Sequence, residues 1–250
     1  MRLDVFFGAH QLTAADTAGR LVAVIDVLRA STSIAAAVAN GARAVIPLES
    51  SDDVVARAKA FARGEVRLAG ERKMLAIPGF DLGNSPREFT SEAVAGKTVL
   101  ICTTNGTGAL TSVQGARDVV VASYVNFSAV LALLRTAVRG GVDATIVCAG
   151  RGRQFSLEDA ACAGRFVHQV TRRLASVELN DAAVAASLID RKYGENLMRL
   201  FLESAHGRAL RDAGFGDDLP VCGSVDAFPV VPILHERQIT TLGPGRERWV

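Results

Sequence analysis

The chain has 250 residues, 49% of them hydrophobic and 22% charged, with a net charge of +2. That length supports a large core, built as one domain over 1–250 or as two closely packed α/β subdomains. The near-balanced charge argues against a nucleic-acid partner, and no apolar stretch approaches the roughly 18 residues needed to cross a bilayer, so no membrane partner is expected.

The opening run Met1-Arg2-Leu3-Asp4-Val5-Phe6-Phe7 is too short and too interrupted by acid for a signal peptide, and the cytoplasm is the expected compartment. Residues 21–25, Leu-Val-Ala-Val-Ile, read as a buried strand, followed at once by Asp26. A helix is predicted over 33–40, capped by Ser31 or Thr32 and stopped by Gly41. A strand over 44–48, a helix over 52–63 and a strand over 66–69 come next. Residues 70–91 are the longest irregular stretch, rich in Pro, Gly, Asp and Asn, and loops of that length are often functional. Strands at 99–102, 119–122 and 144–148 alternate with helices at 108–113, 127–139 and 158–174. This alternation predicts a three-layer α/β/α fold with a largely parallel or mixed sheet. Beyond residue 177 the chain turns more helical, with short helices at 181–187, 195–203 and 206–212. The segments 230–234 and 238–242 are expected to add edge strands, because Pro232 argues against a central position. Cys102, Cys148, Cys162 and Cys222 form no CxxC pair, which excludes zinc and dithiol readings and leaves four reduced thiols.

Four polar segments follow four apolar ones. They begin at Asp26, Gly70, Cys102 and Ala149, where the loops of open α/β sheets bind ligands. Asp26 can ligate Mg²⁺, serve as a base or hold an arginine; a turn aspartate is the plainer alternative. Arg29 and Ser31 offer a guanidinium fork and a hydroxyl near a helix start, suited to an anion. Glu71 and Arg72 follow a strand, as a further acid and cation or as a solvated charge run. Thr104, Asn105 and Gly106 form a hydroxyl-and-amide cradle for phosphate or an ordinary Asn-Gly turn. Gly108 stands where a tyrosine-phosphatase loop needs arginine, and no Walker lysine is present. Arg151 and Arg153 precede Ser156-Leu157-Glu158-Asp159, which fits a capping box yet also sets two carboxylates side by side for Mg²⁺. His206, before Gly207, is read as a helix-end residue ahead of a proton donor.

Taken in order, these motifs resemble the 2-phosphosulfolactate phosphatase (ComB) family. The resemblance is carried by Val24 to Thr32, Gly70-Glu71-Arg72, Gly79 to Pro86, Thr103 to Thr107, Cys148 to Arg151, Phe155 to Asp159 and Ser204-Ala205-His206-Gly207, with Asp218-Leu219 and Val225-Asp226 beyond. It implies a ComB-like α/β fold and a cytoplasmic, Mg²⁺-dependent phosphatase. The implied reaction takes 2-phospho-3-sulfolactate to 3-sulfolactate and phosphate, a step of coenzyme M biosynthesis. Chemistry then suggests roles. Asp26, Glu158 and Asp159 are the candidate metal ligands, and Asp26, Glu71 and Glu158 the candidate catalytic carboxylates. Arg29, Ser31, Arg72, Thr104, Asn105, Gly106, Arg151 and Arg153 are the candidate binders of a small anionic phosphorylated substrate, with Lys73 as a further cation. The alternatives are a phosphatase for another small phosphorylated acid and a non-catalytic anion or nucleotide sensor. Oligomeric state stays open, a homo-oligomer included.

Overall fold

The computed structural model describes residues 1–62, 64–113, 115–172, 174 and 176–243. Eleven strands form one sheet: β1 (Arg2–Phe6), β2 (Leu21–Ile25), β3 (Ala44–Pro47), β4 (Val66–Arg72), β5 (Leu75–Ala76), β6 (Thr98–Cys102), β7 (Asp118–Ala122), β8 (Ala144–Cys148), β9 (Glu178–Leu179), β10 (Pro232–His235) and β11 (Gln238–Thr241). Their order is β5-β4-β6-β3-β11-β10-β7-β2-β8-β1-β9. Strands β4, β6 and β3 run parallel to one another, as do β7, β2, β8, β1 and β9. The β10–β11 hairpin lies between the two sets, antiparallel to β7 on one side and to β3 on the other.

The position of this hairpin corrects the sequence reading. The tail strands are central, not edge strands. Pro232 is tolerated because it is the first residue of β10 and pairs only with Thr241, while the contact with β7 is made by Ile233 and Leu234. A proline at a strand start removes no ladder bond. Strand β1 was hidden in the sequence by Asp4. In the fold that acid is buried and accepts a hydrogen bond from Arg20 Nη1 at 2.7 Å, so it interrupts the apolar run without leaving an unpaired charge.

The helices are α1 (Ala30–Ala39), α2 (Ser51–Ala58), α3 (Ser91–Val94), α4 (Gly106–Ser112), α5 (Phe127–Arg139), α6 (Leu157–Thr171), α7 (Asp181–Tyr193), α8 (Leu197–Glu203), α9 (Ala205–Leu210) and α10 (Asp218–Cys222). Arg63 and Arg173, in the predicted helices 52–63 and 158–174, lie outside the described residues. The alternation of side chains along each strand sorts the core into faces. Val22 and Val24 of β2, Val45 of β3, Val99 and Ile101 of β6, and Val119 and Val121 of β7 share one cluster with Ile34 of α1 and Leu110 of α4. The sheet therefore wraps around α1 and α4. The other face of the β7–β9 half carries α5 to α8, and that of the β3–β6 half carries α2. In α5, Val130, Leu134, Ala137 and Val138 form the buried stripe at helical spacing. Truncating Leu134 to Ala would cost about 2–5 kcal/mol. No helix among the described residues is long and apolar enough to cross a membrane.

Candidate active site

Carboxyl ends of β2, β4, β6 and β8 converge on a cavity of about 250 Å³, with His206 of α9 on its wall. Asp26 enters it directly from β2. Its N–H donates to Ser31 Oγ at 2.8 Å and its carbonyl accepts from Ser31 N–H at 2.9 Å, so the loop leading into α1 is fixed before any ligand arrives. Ser31 Oγ also donates to Val24 O. Its hydroxyl is thus spent on the backbone, and Ser31 does not line the cavity. The Asp26 carboxyl is pushed up from an ordinary 3.8 to about 6, by burial first and then by the charges of Glu71 and Glu158, against the pull of His206 and the Ala30 N–H. Gly106 packs so close that a Cβ there would lie 2.7 Å from Asp26 Oδ2.

Glu71, at the end of β4, is a brace. Its Oε1 accepts the Thr104 N–H at 2.7 Å, and its Oε2 accepts the Met74 N–H at 2.8 Å and the Thr104 hydroxyl at 3.1 Å. Arg29 is 2% exposed. Its Nη1 pairs with Asp218 Oδ2 at 2.8 Å, its Nη2 donates to Met74 O at 2.9 Å, and its guanidinium lies 4.3 Å from the Phe215 ring centroid. Ser85 donates to the other Asp218 oxygen at 2.6 Å. Asn105 Oδ1 accepts the Gly152 N–H at 2.9 Å and ties the β6 loop to the β8 loop. Asn84, only 5% exposed, lines the cavity with its Oδ1 unpartnered, although its carbonyl is held by Ser33 Oγ.

The adjacent acids of α6 diverge in use. Asp159 accepts the Val27 N–H on Oδ1 at 2.8 Å and the Gly150 N–H on Oδ2 at 3.2 Å, clamping the loops after β2 and β8 together. Burial, with the charges of Asp26 and Glu158, raises its carboxyl well above the usual range against those two donors. Glu158, 1% exposed, meets His206 Nδ1 at 3.2 Å. Burial works to raise Glu158, but the hydrogen bond and charge of His206 outweigh it and hold the carboxyl below its ordinary value. Both acids also sit in the first turn of α6, whose dipole favours them, with Ser156 capping through Asp159 N–H.

Of the sequence-selected residues, Asp26, Arg29, Glu71, Lys73, Thr104, Asn105 and Arg151 line the cavity. Gly106 and Glu158 stand directly behind it, against Asp26 and His206 respectively. Ser31, Asp159, Arg72 and Arg153 are not among its lining residues. Arg72 donates instead to Glu71 O at 3.0 Å and Glu49 O at 3.3 Å, and Arg153 is an exposed residue with φ +64°. Among the described residues no group of three or more His, Cys, Asp and Glu side chains could hold a metal ion, so the three acids do not form a closed metal cage. His206 and Asn84 do line the cavity. The signal for His206 lay in Ser204-Ala205-His206-Gly207: Ser204 caps α9 through the Gly207 N–H, and this aims the first turn, His206 included, at Glu158.

A model of the family described as 2-phosphosulpholactate phosphatase matches residues 8–237 of the chain. The chain is similar to a probable 2-phosphosulfolactate phosphatase of Symbiobacterium thermophilum, 40% identical over 229 residues covering 92% of this chain and 97% of the relative. A probable 2-phosphosulfolactate phosphatase of Caldanaerobacter subterraneus is 36% identical, covering 96% of this chain and 98% of its own. A third so named, from Clostridium acetobutylicum, is 33% identical, covering 93% and 97%.

Proposed function

Because the chain belongs to the 2-phosphosulpholactate phosphatase family, a family of phosphomonoester hydrolases, we propose that it converts 2-phospho-3-sulfolactate and water to 3-sulfolactate and phosphate. The observation that carries this reading is one cavity holding a buried carboxylate, a carboxylate-backed imidazole and the cations Arg29, Lys73 and Arg151. In the reaction a water oxygen bonds to phosphorus, the ester P–O bond breaks, the departing alkoxide oxygen must take a proton, and the proton that the water sheds replaces the one the donor gives up. His206 is the proton donor of this scheme. Its Nδ1 is held by ionised Glu158, which leaves Nε2 for the leaving oxygen. Arg151 counters the charge of the transferring phosphoryl group, while Glu71, which accepts from both the N–H and the hydroxyl of Thr104, holds the Thr104 loop in place.

Mg²⁺ fits this site through Asp26. A hard oxygen ligand, raised by burial and then by the charges of two neighbouring acids, is one that a divalent cation would relieve. Mg²⁺ needs only one or two carboxylates when waters and phosphate oxygens complete its shell, so a three-acid cage is not required. Glu158 and Asp159 already serve His206 and two backbone amides, which leaves Asp26 as the inner ligand. When bound, the ion would neutralise phosphoryl charge. The step is proposed as cytoplasmic, in line with four buried free thiols, and as one that serves coenzyme M biosynthesis.

The test is phosphate release from 2-phospho-3-sulfolactate, phospholactate and phosphoglycerate, each with Mg²⁺ and with EDTA. Mg²⁺-dependent turnover that favours the sulfonate is expected. No release from any of the three would overturn the 2-phospho-3-sulfolactate assignment and leave a phosphatase for another phosphorylated acid or a non-catalytic anion sensor. Release unaffected by EDTA would remove the metal.

A further inference from the structure

The turn between β4 and β5 is two residues long, because Arg72 pairs with Leu75 across it. Both turn residues are left-handed, Lys73 at φ +51° and Met74 at φ +73°. Two-residue hairpins with positive φ at both positions are the preserve of Asn and Gly; Lys and Met adopt this conformation reluctantly. Here it is over-determined. The Met74 N–H is held by Glu71 and the Met74 carbonyl by the buried Arg29 guanidinium. That same Arg29 is fixed in turn by Asp218 and Phe215. Strained turns tied from both sides are characteristic of sites that need one side chain in one place. What this turn delivers is Lys73, an exposed residue on the cavity wall.

Arg72 and Arg153 do not reach the cavity, and Arg29 already serves Asp218 and Met74. With Arg151 assigned to the phosphoryl group, Lys73 is the remaining lining cation that the contacts described above do not commit elsewhere. A phosphoryl group countered by Arg151 leaves the rest of the substrate to face that rim. We propose that Lys73 is the specificity residue for the second strong-acid anion of the substrate, the sulfonate, and that the strained turn exists to present its ammonium. This rests on the phosphatase reading above and deepens it.

The decisive variant is Lys73→Asn, which removes the charge but suits a left-handed turn. Loss of one charge-assisted contact predicts a fall in kcat/KM on 2-phospho-3-sulfolactate of roughly 10- to 100-fold, with phospholactate, which lacks the sulfonate, changed less than about threefold. Lys73→Arg should keep most of the preference. Calorimetry with 3-sulfolactate and lactate gives a readout that needs no turnover: wild type should bind the sulfonate more tightly, and Lys73→Asn should bind the two alike. An equal fall on both esters, or equal binding of 3-sulfolactate by wild type and Lys73→Asn, overturns the assignment. If wild type cleaves neither ester, the phosphatase reading falls, while the calorimetry still decides whether Lys73 reads a sulfonate.

Discussion

Replacing Gly106 by Ala puts one methyl group into the most crowded point of the site. The new Cβ would lie 2.5 Å from Ala30 Cβ and 2.7 Å from Asp26 Oδ2. Carbon atoms rest at about 3.5–4.0 Å, so relief needs a movement of about 1 Å. Ala30 opens α1, and the Asp26 loop is pinned by Ser31, so the strain falls on the carboxylate or on the β6 loop. Overpacking of this kind costs about 1–3 kcal/mol, offset by up to about 1 kcal/mol from the better helix propensity of Ala. The net loss of about 0–3 kcal/mol should lower Tm by up to roughly 12 °C for a chain of this size. A reacting group misplaced by about 1 Å costs about 10²-fold in rate. Gly108→Ala is the control: it lies in the same helix, is exposed, and its Cβ would meet nothing within 4 Å. That variant should be neutral or stabilised by up to about 1 kcal/mol, with unchanged turnover. Thermal melts and steady-state phosphate release on both variants decide the matter. Gly106→Ala with kcat/KM within about threefold of wild type would mean that the Asp26 position is not critical.

Other outcomes follow from the same geometry. Asp26→Asn should abolish Mg²⁺-dependent turnover yet stabilise the metal-free protein. With the carboxyl raised from 3.8 to about 6 on folding, its contribution to stability is present below pH 4 and lost as the pH climbs through 6, a cost of order 3 kcal/mol that Asn does not incur. Denaturant melts in EDTA between pH 4 and 8 should show wild type falling relative to Asp26→Asn; parallel curves would refute the raised carboxyl. His206→Asn should lower kcat on the hydroxy-acid ester by about 10²–10⁴-fold, and far less on an aryl phosphate whose leaving group needs no proton. Equal losses on both esters would deny His206 the role of acid. Arg151→Ala should weaken phosphate inhibition by roughly tenfold or more, whereas Arg72→Ala should change it by less than about threefold, since Arg72 donates to the backbone carbonyls of Glu71 and Glu49 and does not line the cavity.

The strand–helix alternation and the loops at the strand ends were legible because buried parallel strands such as 21–25 are uninterrupted apolar runs. Strand β1 was not, because a paired Asp4 and a partly exposed register break the run. The central hairpin was misplaced because its proline was judged without its register. Within the site, residue types announced Asp26, Arg29, Glu71, Lys73, Thr104, Asn105 and Arg151, but not how each is used. Glu71 and Asp159 have the composition of ligands and the hydrogen bonds of braces, and only three-dimensional pairing separates those roles. The sequence ranks His206 as a helix-end residue ahead of a proton donor and shows Asn84 only as part of the irregular 70–91 stretch, because each comes from a loop or short helix with no periodic signal and its contacts are with residues far away in sequence.

The order in which the ribosome delivers the sheet has a consequence for biogenesis. Every strand of the two parallel sets emerges before residue 232, yet the seam between those sets is β10 and β11. Until that hairpin appears, β3 and β7 each present an open edge, with Val45, Val119 and Val120 waiting for partners. Unpaired edges of this kind are templates for aggregation, and pairings this distant in sequence form slowly. Nascent chains stalled short of the hairpin should therefore be clients of chaperones, and a peptide spanning residues 230–243, supplied in trans, should rescue a chain that lacks them.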